Sequence, residues 1–251
     1  MIRCVNQCLG FLRSLLTRPD ERWSVEKCEH SLQITLEFGR KDQHFLKLMK
    51  ESHAQLWQDI FVLSYADFKE NGYFVEFGAV DGIKGSNTYL LEKEFNWLGI
   101  LSEPNPNQRR SIEINRGCII EPRCVYDKSG DTVKFVDANN LSTIDGWRDS
   151  DHHSNARKNK KTLLVETVSL TDMLHTHNAP PMIDYLSIDT EGTEYLILSN
   201  HDFSKYKFRL ITVEHNYTSM RDEIFRLLSE EGYRRVHQDL SKHDDWYILY
   251  P

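Results

Sequence analysis

The feature that most restricts the fold is a rhythm that begins near residue 73. Short apolar runs ending in glycine or an acid alternate with segments of helical period. Residues 73–77 form such a run, closed by Gly78, and fit a buried parallel strand. A helix is expected over 87–95, a second strand over 97–101 and a helix over 106–115. A third strand lies within 118–126, interrupted by Pro122, and 132–136 alternates like an extra edge strand. Further strands are expected at 162–168, 183–188 and 210–213, with helices at 170–175, 193–200 and 220–231, the last closed by Gly232. Residues 234–240 and 246–250 read as a terminal hairpin, and a helix is expected upstream over 55–68. Alternating strands and helices imply an α/β domain: an open, mostly parallel sheet with helices on both faces. Ligands of such sheets sit at the carboxyl ends of the strands.

The first of those ends reads Glu76-Phe77-Gly78-Ala79-Val80-Asp81-Gly82. The glycines permit a tight turn and close backbone approach. No Lys-Ser/Thr follows, and the third glycine of a dinucleotide fingerprint is missing. Glu76 and Asp81 would repel a diphosphate but suit a positive centre. The next strand ends at Ser102-Glu103-Pro104-Asn105. An acid there, about 20 residues beyond a glycine turn, is placed to accept both ribose hydroxyls. Together these ends suggest a nucleoside with positive charge and no polyphosphate; S-adenosylmethionine has that character.

The runs FVEFGAVDGIKGSNTYLLEK, SEPNP and IDTEGTEYLIL, with the upstream SHAQLWQDIFVL, resemble the FkbM family of S-adenosylmethionine-dependent methyltransferases from about residue 52 onward. The resemblance implies a class I methyltransferase (Rossmann-like) fold with a seven-stranded sheet whose last strand, near 246–250, is antiparallel. It implies S-adenosylmethionine as cofactor and a hydroxyl of a sugar, glycan or related natural product as acceptor. On the matching positions, Glu76, Gly78, Ala79, Asp81 and Gly82 would form the first cofactor loop, and Asn87 would lie near the methionine end. Glu103 would take the ribose hydroxyls, with Pro104 shaping that turn. Cys124 and Val125 would flank the adenine, although Cys124 stands where a small alanine-like residue is usual. Asp189 would face the methionine and the methyl group.

A hydroxyl acceptor must lose its proton to a base. Candidates follow the fourth and fifth core strands: Asp189 and Glu191 in DTEGTE, and Glu214 and His215 in EHN. His215 or Glu191 is the expected base, oriented by Asp189 or Glu214. The same side chains could offer ligands to a divalent metal, but the spacing does not demand one and none is assigned. Glu194 reads as a first-turn helix acid. The polar stretch 148–161, with His152, His153 and a basic end at Arg157, Lys158, Lys160 and Lys161, reads as an exposed loop or lid. Gln55, Gln58 and Asp59 are either contacts to the cofactor or acceptor, or a surface helix face.

Composition narrows the remaining classes. The 251 residues divide into an extension over 1–50 and a methyltransferase domain over 51–251. Against 31 Lys+Arg stand 38 Asp+Glu, net −7, which weighs against nucleic acid as partner. Cys4, Cys8, Cys28, Cys118 and Cys124 contain no CxxC pair and read as reduced thiols of a cytoplasmic protein. Residues 1–16 are apolar but broken by Arg3 and Arg13, so an amphipathic surface helix is expected there rather than a membrane span. The rival readings are a peptide or amine acceptor, a non-catalytic interaction module of the same fold and, less consistent with the missing glycine, an NAD-dependent dehydrogenase.

Overall fold

The computed structural model describes residues 25–39 and 43–250. The amphipathic segment expected at 1–16, with Cys4 and Cys8, lies outside the described residues, as does the Cys28 side chain.

The main sheet has seven strands: β1 (Tyr73–Phe77), β2 (Leu98–Ser102), β3 (Ile119–Glu121), β8 (Met182–Ile188), β9 (Lys207–Glu214), β10 (Tyr233–Val236) and β11 (Asp244–Leu249). Their spatial order is β10-β11-β9-β8-β1-β2-β3. β11 runs antiparallel between β9 and β10, and the other pairings are parallel. This is the expected class I methyltransferase sheet, with its antiparallel last strand.

Strand alternation divides the core into two layers. Phe74, Tyr185, Leu210 and Trp246 face one side, where they meet α1 (Val25–Phe38), α2 (Gln43–Glu51), α3 (Gln58–Tyr65) and α4 (Tyr89–Phe95). Val75, Leu186, Ile211 and Tyr247 face the other, toward α7 (Leu170–Thr176), α8 (Glu194–Ser199) and α9 (Met220–Glu230). The described part of the extension therefore belongs to the core: Ile34, Phe45, Leu48 and Met49 are buried in the same cluster as Phe74 and Trp246.

Four strands form a second sheet in the order β4-β7-β5-β6: β4 (Cys124–Tyr126), β5 (Thr132–Val136), β6 (Thr143–Ile144) and β7 (Thr162–Ser169). The segment 118–126 is thus two strands in two sheets, split where Pro122 can donate no ladder hydrogen bond. Likewise 132–136 is no edge of the main sheet, because it pairs with β7 and β6.

Two helices are shorter than their periodicity suggests. The one expected over 55–68 covers only Gln58–Tyr65; Trp57, with φ near 60°, precedes it, and Asp67 and Phe68 at positive φ follow it. The one expected from 87 begins at Tyr89, since the backbone at 87 is turned toward Glu76. The stretch 148–161 is likewise not simply an exposed loop: it contains a helical turn, α6 (Ser154–Arg157), and Arg157 is fully buried.

Candidate active site

Strand register decides what meets at the top of the sheet. Phe77 pairs with both Ser102 and Ile188, so Gly78, Glu103 and Asp189 leave three neighbouring strands at one level. Ile188 pairs with Val213, and Glu214 with Asp244, which extends the row along the edge. Gly78 has φ near 90°, and a Cβ on it would lie 2.3 Å from the Asp189 carbonyl oxygen. Only glycine permits that contact, which seats Asp189 against the turn.

The turn is braced from behind. Glu76 is buried; Ser86 Oγ and the Asn87 N–H donate to it at 2.9 and 2.6 Å, and the Thr88 hydroxyl donates as well. The buried Arg116 guanidinium donates to the Gly82 carbonyl, Ser86 Oγ and Thr88 Oγ1 at 2.9–3.0 Å. A Cβ on Gly82 would come within 2.9 Å of Arg116 Cγ, so this glycine serves helix packing. The Asp81 carboxylate accepts from the Ile83 and Lys84 N–H groups. Of the expected first cofactor loop, Gly78 lines the cleft, while Glu76, Ala79, Asp81 and Gly82 shape the loop without lining it.

An inner chamber opens between Gly78, Glu103, Pro104, Cys124, Val125 and Asp189. One Glu103 oxygen accepts from the Asn105 N–H at 2.7 Å, and the other has no partner among the described residues. Burial pushes the Glu103 carboxyl up to about 7. Asn105 in turn caps α5 (Pro106–Asn115) and reaches Asp137. Burial also raises the Cys124 thiol, to about 12, so it is an apolar wall rather than a nucleophile. The opposite wall comes from Phe135, Asn139, Asn140, Ser142 and Ile144, which the sequence reading did not single out; the adjacent asparagines were the available signal.

An outer chamber adjoins the inner one and shares Gly78, Val80, Asn139, Asn140 and Asp189 with it. Met49, Gln55, Trp57 and Gly85 contribute to its walls. A narrow recess behind Asp189 is lined by Gln55, Gln58, Asn87, Thr212, His243 and Asp244. Asn87 Nδ2 donates to Ser187 Oγ, while Asn87 Oδ1 is buried without a partner. Gln58 Nε2 donates to Asp244 at 2.8 Å. Asp59 is not a surface residue: it is fully buried, accepts from Ser52 and the Ile60 N–H, and is pushed up to about 7 by burial.

Asp189, Glu191 and Glu214 place carboxylate oxygens within 4.8 Å of one another, as do ligand atoms of Glu214, His243 and Asp244. Such neighbours cannot all ionise freely. Burial, then mutual repulsion with Asp189, pushes Glu191 and Glu214 up. Asp189 is raised chiefly by burial, against a hydrogen bond shared with Glu214. Arg157 opposes the trend at Glu191, donating to Oε2 at 2.7 Å. Its remaining donors go to both Asp151 oxygens at 2.9 Å and to the Leu141 and Arg148 carbonyls. Glu194 anchors the loop by accepting from the Thr190 and Gly192 N–H groups.

The expectation for His215 needs correction. The Tyr217 N–H donates to Nδ1 at 3.0 Å, and Nε2 bonds the Asp244 carbonyl oxygen at 3.1 Å. The first contact assigns the proton to Nε2. Burial lowers the imidazole to about 4, and it lines none of the chambers above. Both nitrogens are engaged with backbone, so His215 holds the strand ends together and has no lone pair for an acceptor.

The sequence matches no curated protein. Among solved structures the chain is similar to a precorrin-6y C5,15-methyltransferase from Geobacter metallireducens GS-15, with 12% identity over 76% of this chain and 85% of that one, TM-score 0.39. It is also similar to a fibrillarin/Nop5p complex structure (13% identity, 72% of each chain, TM-score 0.34). A third is a point mutant of MtNAS (12% identity, 97% of this chain and 70% of that one, TM-score 0.36). The family described as the methyltransferase FkbM domain matches residues 76–235, from the buried acid of β1 into β10. That match spans well over half of the chain, the glycine turn and both acidic strand ends included, and the protein therefore belongs to the FkbM methyltransferase family.

Proposed function

We propose that the protein is an S-adenosylmethionine-dependent O-methyltransferase acting on a hydroxyl of a sugar, glycan or related natural product. The observation that carries this reading is the position of Asp189, which borders the inner chamber, the outer chamber and the recess. A group at that junction can serve cofactor and acceptor together.

The residues suit this cofactor. The open Glu103 oxygen can accept from ribose hydroxyls, and Val125 and Cys124 offer apolar surface to an adenine. The unpartnered Asn87 Oδ1 and the acids around Asp189 suit an ammonium and a sulfonium. When bound, S-adenosylmethionine supplies a methyl group already activated on a positive sulfur. The chain then has to align an acceptor and remove its proton. Asp189 takes the proton in this reading, because burial brings it toward neutral ionisation and Glu214 shares a hydrogen bond with it. Arg157 keeps Glu191 beside it in one orientation. The acid groupings also contain oxygen ligands for a divalent ion, but the proton path above needs none.

The test is calorimetric titration with S-adenosylmethionine, followed by labelled-methyl transfer to a panel of sugars and glycans read by mass. Cofactor binding and a label on oxygen are expected. Absence of cofactor binding would favour the interaction-module reading, and a label on nitrogen would favour an amine or peptide acceptor.

A further inference from the structure

Glu214 ends β9 and Asp244 begins β11, and the antiparallel register sets them directly opposite each other. Opposite positions of a ladder share one face, where like charges repel. Neither carboxylate pairs with a Lys or Arg among the described residues. Each is oriented by a neutral amide instead: Asn216 Nδ2 donates to Glu214 Oε2 at 2.7 Å, and Gln58 Nε2 donates to Asp244 Oδ2 at 2.8 Å. The amides fix the two acids and leave their charge uncancelled. His243 joins them, with ligand atoms of all three residues within 4.8 Å of one another. The His243 ring makes no hydrogen bond among the described residues. Nε2 stands 4.0 Å from Asp244 Oδ1, too far for a hydrogen bond but within the roughly 4 Å that two ligands of one ion can span.

A separate observation comes from another part of the chain. Asn87, only 8% exposed, lines the narrow recess together with Asp189, Thr212, His243 and Asp244. Its amide nitrogen is spent on Ser187 Oγ, and its Oδ1 is buried without a partner. A buried amide oxygen costs free energy until a donor or a cation meets it. The recess has about 10 Å³ of free volume, room for one ion or one water.

We propose that the recess is a site for one divalent transition-metal ion, such as Mn²⁺ or Zn²⁺, ligated by Glu214, His243 and Asp244 and faced by Asn87. An imidazole set beside two carboxylates favours such an ion over Ca²⁺ or Mg²⁺, which take oxygen ligands. The nitrogen ligand is His243 and not His215, whose two nitrogens are engaged with backbone. Gln58 and Asn216 then act as the outer amides that hold the ligating carboxylates in place. The ion ties the end of β9 to the start of β11 beside Asp189. An ammonium of the cofactor is the rival partner for Asn87 Oδ1, and the two occupants would compete.

The experiment strips the untagged full chain with EDTA, removes the chelator and titrates Mn²⁺, Zn²⁺, Mg²⁺ and Ca²⁺ by calorimetry. One Mn²⁺ or Zn²⁺ per chain is expected, bound tenfold or more tightly than Mg²⁺ or Ca²⁺. His243→Ala and, separately, Asp244→Asn are each expected to cut that affinity tenfold or more with circular dichroism unchanged. His175→Ala, at an exposed histidine of α7, should leave it within twofold. No stoichiometric binding of either transition ion to the unaltered chain overturns the proposal, as does equal binding of Ca²⁺ or Mg²⁺. Full affinity in His243→Ala also overturns it, since Asp189, Glu191 and Glu214 would then hold the ion. So does a tenfold or greater loss of Mn²⁺ affinity at saturating S-adenosylmethionine, because the recess would then belong to the ammonium of the cofactor.

Discussion

On one side of the cleft, Gly78, Glu103 and Asp189 leave three parallel strands whose register places them side by side. On the other, Asn139, Asn140 and Ile144 come from the second sheet and its connections, held by β5–β6 pairing, by the Thr143 hydroxyl on the Glu191 carbonyl and by the buried Arg157 guanidinium. The first wall is a product of backbone pairing: once the strands align, the residues after them must meet. The second wall depends on side chains that reach across the insertion, above all Arg157 with its five acceptor atoms. Geometry at the strand ends is therefore insensitive to most substitutions around it, whereas geometry on the side of the insertion hangs on a few side chains.

The largest effect should follow from breaking the second wall at its anchor. Arg157→Ala leaves Asp151 and Glu191 buried without their cation, a loss of about 3–5 kcal/mol for such pairs, to be read by chemical denaturation. A stability within ~1 kcal/mol of the parent would mean that the walls are equally robust. Next comes Asp189→Asn, which keeps the first wall's shape but removes the proposed proton acceptor. Turnover should fall about 100-fold or more with melting temperature maintained, and near-normal turnover would move the base elsewhere. Glu103→Gln sharpens the cofactor side: losing a charged acceptor costs about 1.5–3 kcal/mol, seen as a roughly tenfold or greater rise in cofactor Kd with little change in acceptor KM.

How far each wall could be read from sequence follows the same division. Gly78, Glu103 and Asp189 stand where a strand ends, and a strand end is a local pattern. The seven-stranded sheet and its antiparallel last strand followed from the resemblance and agree with the pairing found. The second sheet was missed because β4 is only three residues long and pairs with β7 some 40 positions away. Arg157 looked like one of a run of solvated cations; its partners at Leu141, Arg148, Asp151 and Glu191 are set by the tertiary fold. His215 misled for a related reason: a histidine after a core strand reads as a base until its two backbone partners are known. The extension over 1–50 had no readable code, yet Lys27, Met49 and Lys50 border the outer chamber.

Two smaller effects complete the comparison. Asp59, Glu103 and Asp244, raised by burial to about 7, 7 and 8, keep their protons to higher pH in the folded than in the unfolded state. Their contribution to stability is full below the unfolded value near ~4 and is lost as pH rises through 7–8. His30, His201 and His215, lowered to about 4, act oppositely, and their contribution is already complete above ~6.5. The ligand-free melting temperature should therefore fall between pH 6.5 and 8.5 by a few degrees, since ~1 kcal/mol shifts a chain of this size by about 2–4 °C. Asp244→Asn should flatten that slope; a melting temperature that rises over the interval would contradict the sign. The smallest change is expected from His215→Asn, with kcat within about threefold of the parent despite some loss of stability. A 100-fold loss in kcat with the fold intact would return His215 to the chemistry.

Arg157 also sets a rule for re-engineering the enzyme. One guanidinium ties Leu141, Arg148 and Asp151 to Glu191, and the Thr143 hydroxyl adds a tie to the Glu191 carbonyl, so the insertion behaves as a cassette with few fastenings. The asparagines at 139 and 140 are the place to vary in a search for new acceptors, provided Thr143 and the Asp151–Arg157 pair are retained. A graft that omits the pair would leave Glu191 to rearrange beside Asp189, so a library built across this region should hold those two positions fixed and vary the asparagines.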